Sequence, residues 1–165
     1  MKRFILISTL FAISLSLFSQ KTSKGKLLTR DILNQATTIV FTEDNGSVPP
    51  EYEYQYNIEV SKDAVRFVLY REYMERKPYD KKMRISNSHY QQFINKLSGQ
   101  GIRVRITSEM PEVGGGHSRI IVKKQGNVLF EGDEESGLTV SKGRLKDAFM
   151  LLLNANMKRE LKGIK

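Results

Sequence analysis

The amino-acid sequence predicts an α+β domain: one mostly antiparallel β-sheet of about six strands, in the order βββαβββα, packed by two helices. Three patterns lead there. Apolar and polar residues alternate from Tyr52 to Val60, the period of a strand with one wet face. Short turn sequences, Lys62-Asp63 and Gln125-Gly126, separate pairs of β-rich runs and make hairpins. Apolar residues recur at helical spacing around Tyr90, Phe93, Ile94 and Leu97, and again around Leu145, Ala148, Phe149, Leu152 and Leu153.

The chain opens on a targeting sequence. Lys2 and Arg3 form a short basic region, and Phe4 to Phe18 is apolar except for small hydroxyl residues. This is the plan of a cleaved export signal over 1–20, and it stops short of the roughly 20 apolar residues that a membrane span needs. Ser19 is small, as the residue before the cut must be, while Leu17 is large for its place, so cleavage before Gln20 and before Lys21 both fit. Residues 21–26 then read as a flexible leader and 27–165 as a single domain. With no cysteine anywhere, a lipid-anchored lipoprotein, disulfides, thiolate metal sites and thiol nucleophiles are all excluded. The expected location is the periplasm or the exterior, as a free protein without a stable membrane span.

From Leu27 onward the elements follow in order. Thr29 can cap a short helix through Leu33, with Asp31 in its first turn. Ala36 to Thr42 is β-branched and aromatic, a strand closed by the turn residues Glu43 to Gly46. Pro49 and Pro50 keep the next loop extended up to the alternating strand that begins at Tyr52, and Ala64 to Tyr73 returns beside it. Its Val65, Phe67 and Leu69 face one side, Val68 and Tyr70 the other. Glu75 to Met83, charged and containing Pro78, reads as a loop or a frayed extension of that strand. Ser88 to Gln91 fits a capping box that starts a helix, and Gly99 and Gly101 are placed to end it in left-handed conformations. Ile102 to Thr107 alternates as a fourth strand, and Arg119 to Lys124 with Asn127 to Glu131 make the second hairpin. Ser141 can cap a long terminal helix that Met157 and Leu161 continue.

Charge and motifs bound the function. The net charge is +9; loss of Lys2 and Arg3 leaves 25 of the 27 basic residues against 18 acidic, about +7. For an exported domain the anionic neighbours are surface glycolipids, cell-wall polymers and acidic proteins, with nucleic acid not expected; solubility alone explains such a charge equally well. The stretch Arg66 to Arg84 carries seven basic residues against three acidic, interleaved with Tyr70, Tyr73 and Tyr79. Within it Arg71, Tyr73, Arg76, Lys77, Lys81, Lys82 and Arg84 form the main candidate contact surface, set against a plain solvated strand and loop. A second candidate is Gly115, Gly116, His117 and Arg119, where successive glycine amides can cradle an anion. Neither the Walker nor the dinucleotide pattern is met there, and a simple connection between strands is the competing reading.

Catalytic and metal chemistry find little support. His117 and Ser118 are neighbours on an extended chain and point to opposite faces. His89 stands in a helix start with no second histidine at ligand spacing, and no metal or cofactor is expected. Glu131, Asp133 and Glu135 alternate like calcium ligands, but Lys142 replaces the glutamate that would close the loop. The face carrying Tyr52, Tyr54 and Tyr56 is the apolar one, so burial is expected rather than a sugar-binding ladder. The sequence therefore points to an exported, non-enzymatic binding module for an anionic envelope component or a partner protein. An inhibitor or immunity-type protein of an exported hydrolase, and a hydrolase of polysaccharide using distant paired carboxylates, stand as alternatives.

Overall fold

The computed structural model of the chain describes residues 27–46, 48–49, 52–71, 77–102, 118–133 and 144–163. The expected signal over 1–20 and leader over 21–26 lie outside them. The elements are α1 (Arg30–Gln35), β1 (Thr38–Asp44), β2 (Tyr54–Val60), β3 (Ala64–Arg71), β4 (Tyr79–Arg84), α2 (Asn87–Ser98), β5 (Ser118–Lys124), β6 (Asn127–Asp133), α3 (Arg144–Met150) and α4 (Ala155–Lys162). The strands form one six-stranded sheet in the order β4-β3-β2-β1-β5-β6, with every neighbouring pair antiparallel. The domain is thus α+β.

Strand alternation sorts the side chains onto two faces. Ile39, Phe41, Tyr56, Ile58, Val60, Val65, Phe67, Leu69, Ile120 and Val122 are sealed on the helix-covered face. Against them lie Tyr90, Phe93, Ile94 and Leu97 of α2, together with Leu145, Ala148 and Phe149 of α3. Phe149 is the hinge pin of this layer: its ring stacks on Phe41 at 4.9 Å and meets Phe93 edge-on at 4.9 Å. The opposite face carries Thr38, Val40, Asn57, Glu59, Arg66, Val68 and Tyr70, all half-buried or exposed, and no described helix covers it.

Both hairpins form as the turn residues dictate. Val60 pairs with Val65 across the first. In the second, Gln125 (φ 50°) and Gly126 (φ 88°) close a two-residue turn whose positive φ at both central positions matches the twist of the strands it joins.

Four local readings differ from the structure. The strand next to β3 is β4, in the stretch expected to be a loop or a frayed extension of β3; Tyr79 and Met83 pack on the core while Lys81 between them stays exposed, as an edge strand permits. Helix α2 is capped two residues earlier than expected, by Ser86, whose hydroxyl accepts the His89 amide at 3.2 Å. Gly101 takes the left-handed conformation (φ 68°) whereas Gly99 stays right-handed (φ −79°). The terminal helix is two helices. After Met150 the amides of Leu152 and Leu153 bond three residues back, and Asn154 starts a new helix by accepting the Met157 amide at 3.0 Å. The expected strand Ile102 to Thr107, beyond Ile102 itself, and the expected cap Ser141 lie outside the described residues.

Candidate functional site

The candidate residues of the basic stretch separate in space. Arg71 ends β3 on the helix-covered face, where its guanidinium donates to the carbonyl of Glu160 at 3.0 Å and to its carboxylate at 2.6 Å. That contact docks α4 against the strand next to β4. Lys81, Lys82 and Arg84 stand exposed along β4, an outer edge of the sheet, and Lys77 precedes it, also exposed. From Tyr79 to Arg84 this edge runs about 17 Å at the usual strand rise. Tyr73 and Arg76 lie outside the described residues.

Sequence reading passed over a second group of cations. Lys158, Arg159 and Lys162 are exposed on α4, whose Met157 is buried and whose Leu161 packs on the core. The acids on β4 and α4 are both engaged. Asp80 takes a two-point contact from Arg66, Nε to Oδ1 at 3.0 Å and Nη2 to Oδ2 at 2.6 Å, and Glu160 holds Arg71. The Arg66 hydrogen bonds hold the Asp80 carboxyl below its ordinary pKa, and Asp80 raises that of Arg66 in return. Lys77, Lys81, Lys82, Arg84, Lys158 and Lys162 form no ion pair with any described residue. The signal that could have revealed α4's part is the pairing of Asn154 as a cap with Met157 and Leu161 as the inward face, which leaves the three cations facing out.

The second candidate does not join the first. Arg119 lies on β5, four strands from β4 and about 19 Å away at the usual strand spacing, and forms an ion pair with Glu131. Gly115, Gly116 and His117 lie outside the described residues. Glu131 is thus a strand residue engaged with an arginine. Among the described residues no group of three or more His, Asp or Glu side chains could hold a metal ion. His89 is exposed, its Nδ1 3.1 Å from the Ser86 hydroxyl.

One buried carboxylate stands out at the other margin of the core. Glu43, only 9% exposed, accepts the Lys146 ammonium of α3 at 2.5 Å and the Ser118 hydroxyl at 3.4 Å. Lys146 also sits 5.5 Å from the centre of the Tyr56 ring. The Tyr56 hydroxyl is buried beside Glu43 with no well-aligned hydrogen bond among the described residues. Desolvation first, and then the Glu43 charge, push the phenol far above its ordinary pKa. Tyr54, stacked on Tyr56 with ring centres 6.4 Å apart, is raised for the same two reasons in the same order. Glu43 therefore fastens α3 to the ends of β1 and β5; its described hydrogen-bond partners are a cation and a hydroxyl, with no second carboxylate among them. Tyr52, by contrast, is 60% exposed and outside the strand.

The open sheet face holds a shallow concavity of about 420 Å3 across β1, β2, β3 and β5. Among the described residues no helix is long and apolar enough to cross a membrane. No family model matches the chain, and no curated protein matches it.

Proposed function

We propose that the chain is an exported, non-enzymatic binding module that holds an anionic polymer of the cell envelope along the cationic edge built by β4 and α4. The observation that carries this reading is the Arg71–Glu160 contact, which joins segments 89 residues apart and neutralises the acid of α4; with Asp80 held by Arg66, the charges left without an ion pair among the described residues of both elements are cations. A straight edge lined by lysine and arginine suits a linear polyanion, whose charges repeat along its length. Export rests on the basic, then apolar, first 20 residues, and the absence of cysteine makes the exported form free of a lipid anchor.

The test compares Lys81→Ser/Lys82→Ser/Arg84→Ser with Lys158→Ser/Arg159→Ser/Lys162→Ser for binding to a purified anionic cell-wall polymer across a salt series. Each triple variant should weaken binding by about tenfold at low salt, an effect that fades as added salt shortens the screening length. Equal binding by all three proteins refutes the reading. Export is checked by the mass of the chain recovered outside the cytoplasm, expected to begin at Gln20 or Lys21.

A further inference from the structure

The concavity on the open sheet face adjoins the cationic edge, since Arg66 of its lining pairs with Lys82 of β4, but its chemistry is different. Its floor is Val40 and Val68, half-buried although no described helix covers them. Tyr70, 41% exposed, stands at one wall. Around the rim the side chains of Thr38, Asn57, Glu59 and Lys123 hydrogen-bond no other described residue. Arg66 also lines the bowl but is held by Asp80, and Arg119 farther along the face is held by Glu131; Lys82 and Arg84 project on the same face from β4, beyond the lining residues. Rigid strands thus hold four convergent polar groups in reserve around an apolar floor, which is how ligand sites are built.

The register narrows the ligand class. Glu59 is opposite Val40 and Lys123 is opposite Thr38, on the two strands that flank β1. Strand spacing and rise put their Cα atoms about 12 Å apart, and Glu59 also lies opposite Arg66, which Asp80 holds, so the two acids and two cations at the bowl balance and leave no net charge. An anionic ligand gains nothing there. An extended peptide gains little either, because β1 and β2 are paired on both sides and offer no free backbone edge to add a strand to. An apolar floor, an aromatic wall and a rim of mixed donors and acceptors match a sugar ring, whose C–H face is apolar and whose hydroxyls lie around its edge.

We propose that the open sheet face binds a neutral saccharide segment, seated on Val40 and Val68 against Tyr70 and held through its hydroxyls by Asn57, Glu59 and Lys123. The openness of the bowl lets a chain of such sugars enter and leave on either side.

The experiment titrates neutral tetrasaccharides of glucose, galactose, mannose and N-acetylglucosamine into the isotope-labelled domain and follows the backbone amides. At least one sugar should move amides of β1, β2 and β3 in a saturable way, with a Kd in the millimolar range or tighter that salt leaves unchanged. Asn57→Ala and Lys123→Ala should each weaken it by about tenfold. Val40→Trp, which fills the floor, should abolish it; if that variant fails to fold, the two alanine variants at surface positions carry the test. The Lys158→Ser/Arg159→Ser/Lys162→Ser variant, altered on the helix-covered side, should bind the sugar normally, which separates this site from the cationic surface. No amide shift with any sugar at about 20 mM overturns the proposal. So does a loss of affinity that follows salt, or the same shifts produced by a peptide of mixed sequence in place of a sugar.

Discussion

The contact between Arg71 and Glu160 makes a quantitative demand on the fold. Helix α4 has eight residues, too few to persist alone in water, so its place depends on what it touches. Met157 and Leu161 supply apolar contacts, and Arg71 supplies two hydrogen bonds from one nitrogen, to a carbonyl at 3.0 Å and a carboxylate at 2.6 Å. The side chains are 36% and 28% exposed, between the surface and the interior. An exposed pair contributes about 0.2–1 kcal/mol and a hydrogen bond to a charged group about 1.5–3 kcal/mol; partial screening places the coupling at about 1 kcal/mol. Glu160→Ala removes only the carboxylate contact, whereas Arg71→Ala removes both, so Arg71→Ala should be the costlier single change. Urea denaturation of the wild type, the two single variants and the double variant gives the coupling as a double-mutant cycle, and amide exchange across Ala155–Lys162 should quicken in Arg71→Ala. The same cycle on Arg66 and Asp80, whose side chains are 49% and 40% exposed, should return a smaller coupling despite its two-point geometry. A coupling for Arg71 and Glu160 inside the additivity error of about 0.3–0.5 kcal/mol, with exchange across α4 unchanged, refutes the claim that this pair places the helix.

Two further outcomes follow from the core. Phe149 is fully buried between Phe41 and Phe93, so Phe149→Ala should cost about 3–5 kcal/mol and lower the Tm by roughly 10–20 °C in a thermal melt; a loss under about 1 kcal/mol would mean that α3 does not seal the sheet. Tyr54, Tyr56 and Tyr90 all have phenols raised above the ordinary value of 10.0, so the folded state keeps protons that the unfolded chain gives up. Their contribution to stability is complete below that value and is lost as pH rises past it. Urea midpoints measured from neutral pH upward should fall above about pH 10, and Tyr56→Phe should flatten that fall; an identical alkaline profile in the variant would show that Tyr56 ionises freely in the fold.

The parts of the fold legible in the sequence are those where one face is buried and the other wet. Tyr56, Ile58 and Val60, with Val65, Phe67 and Leu69 opposite, put a period of two into the chain, and Tyr90, Phe93, Ile94 and Leu97 put the helical period into α2. Strand β4 carries neither signal. At the sheet edge only Tyr79 and Met83 reach the core, and the lysine between them is solvated on the same face, so the alternation dissolves into a charged run. The break between α3 and α4 is hidden for the opposite reason: Leu152, Leu153, Met157 and Leu161 keep apolar residues coming through it, and only Asn154 marks the restart.

For the candidate surfaces, composition reveals how much charge is present, whereas pairing decides how much of it is available. Arg66, Arg71 and Arg119 look alike in the sequence as members of basic runs, yet each is tied to an acid in the folded chain, 14 residues away for Arg66 and 89 for Arg71. Partners of that kind follow from strand order and helix docking, which no local window contains. The same holds for the open-face bowl. Thr38, Asn57, Glu59 and Lys123 each sit on the wet side of a strand whose alternation is readable, so their facing direction is legible. What brings them together is the placement of β1 between β2 and β5, a long-range pairing that joins Thr38 to Lys123 across more than eighty residues. A site assembled this way belongs to the sheet rather than to any motif. It is therefore tested by substituting its separate strands one at a time and asking whether the losses converge on one ligand.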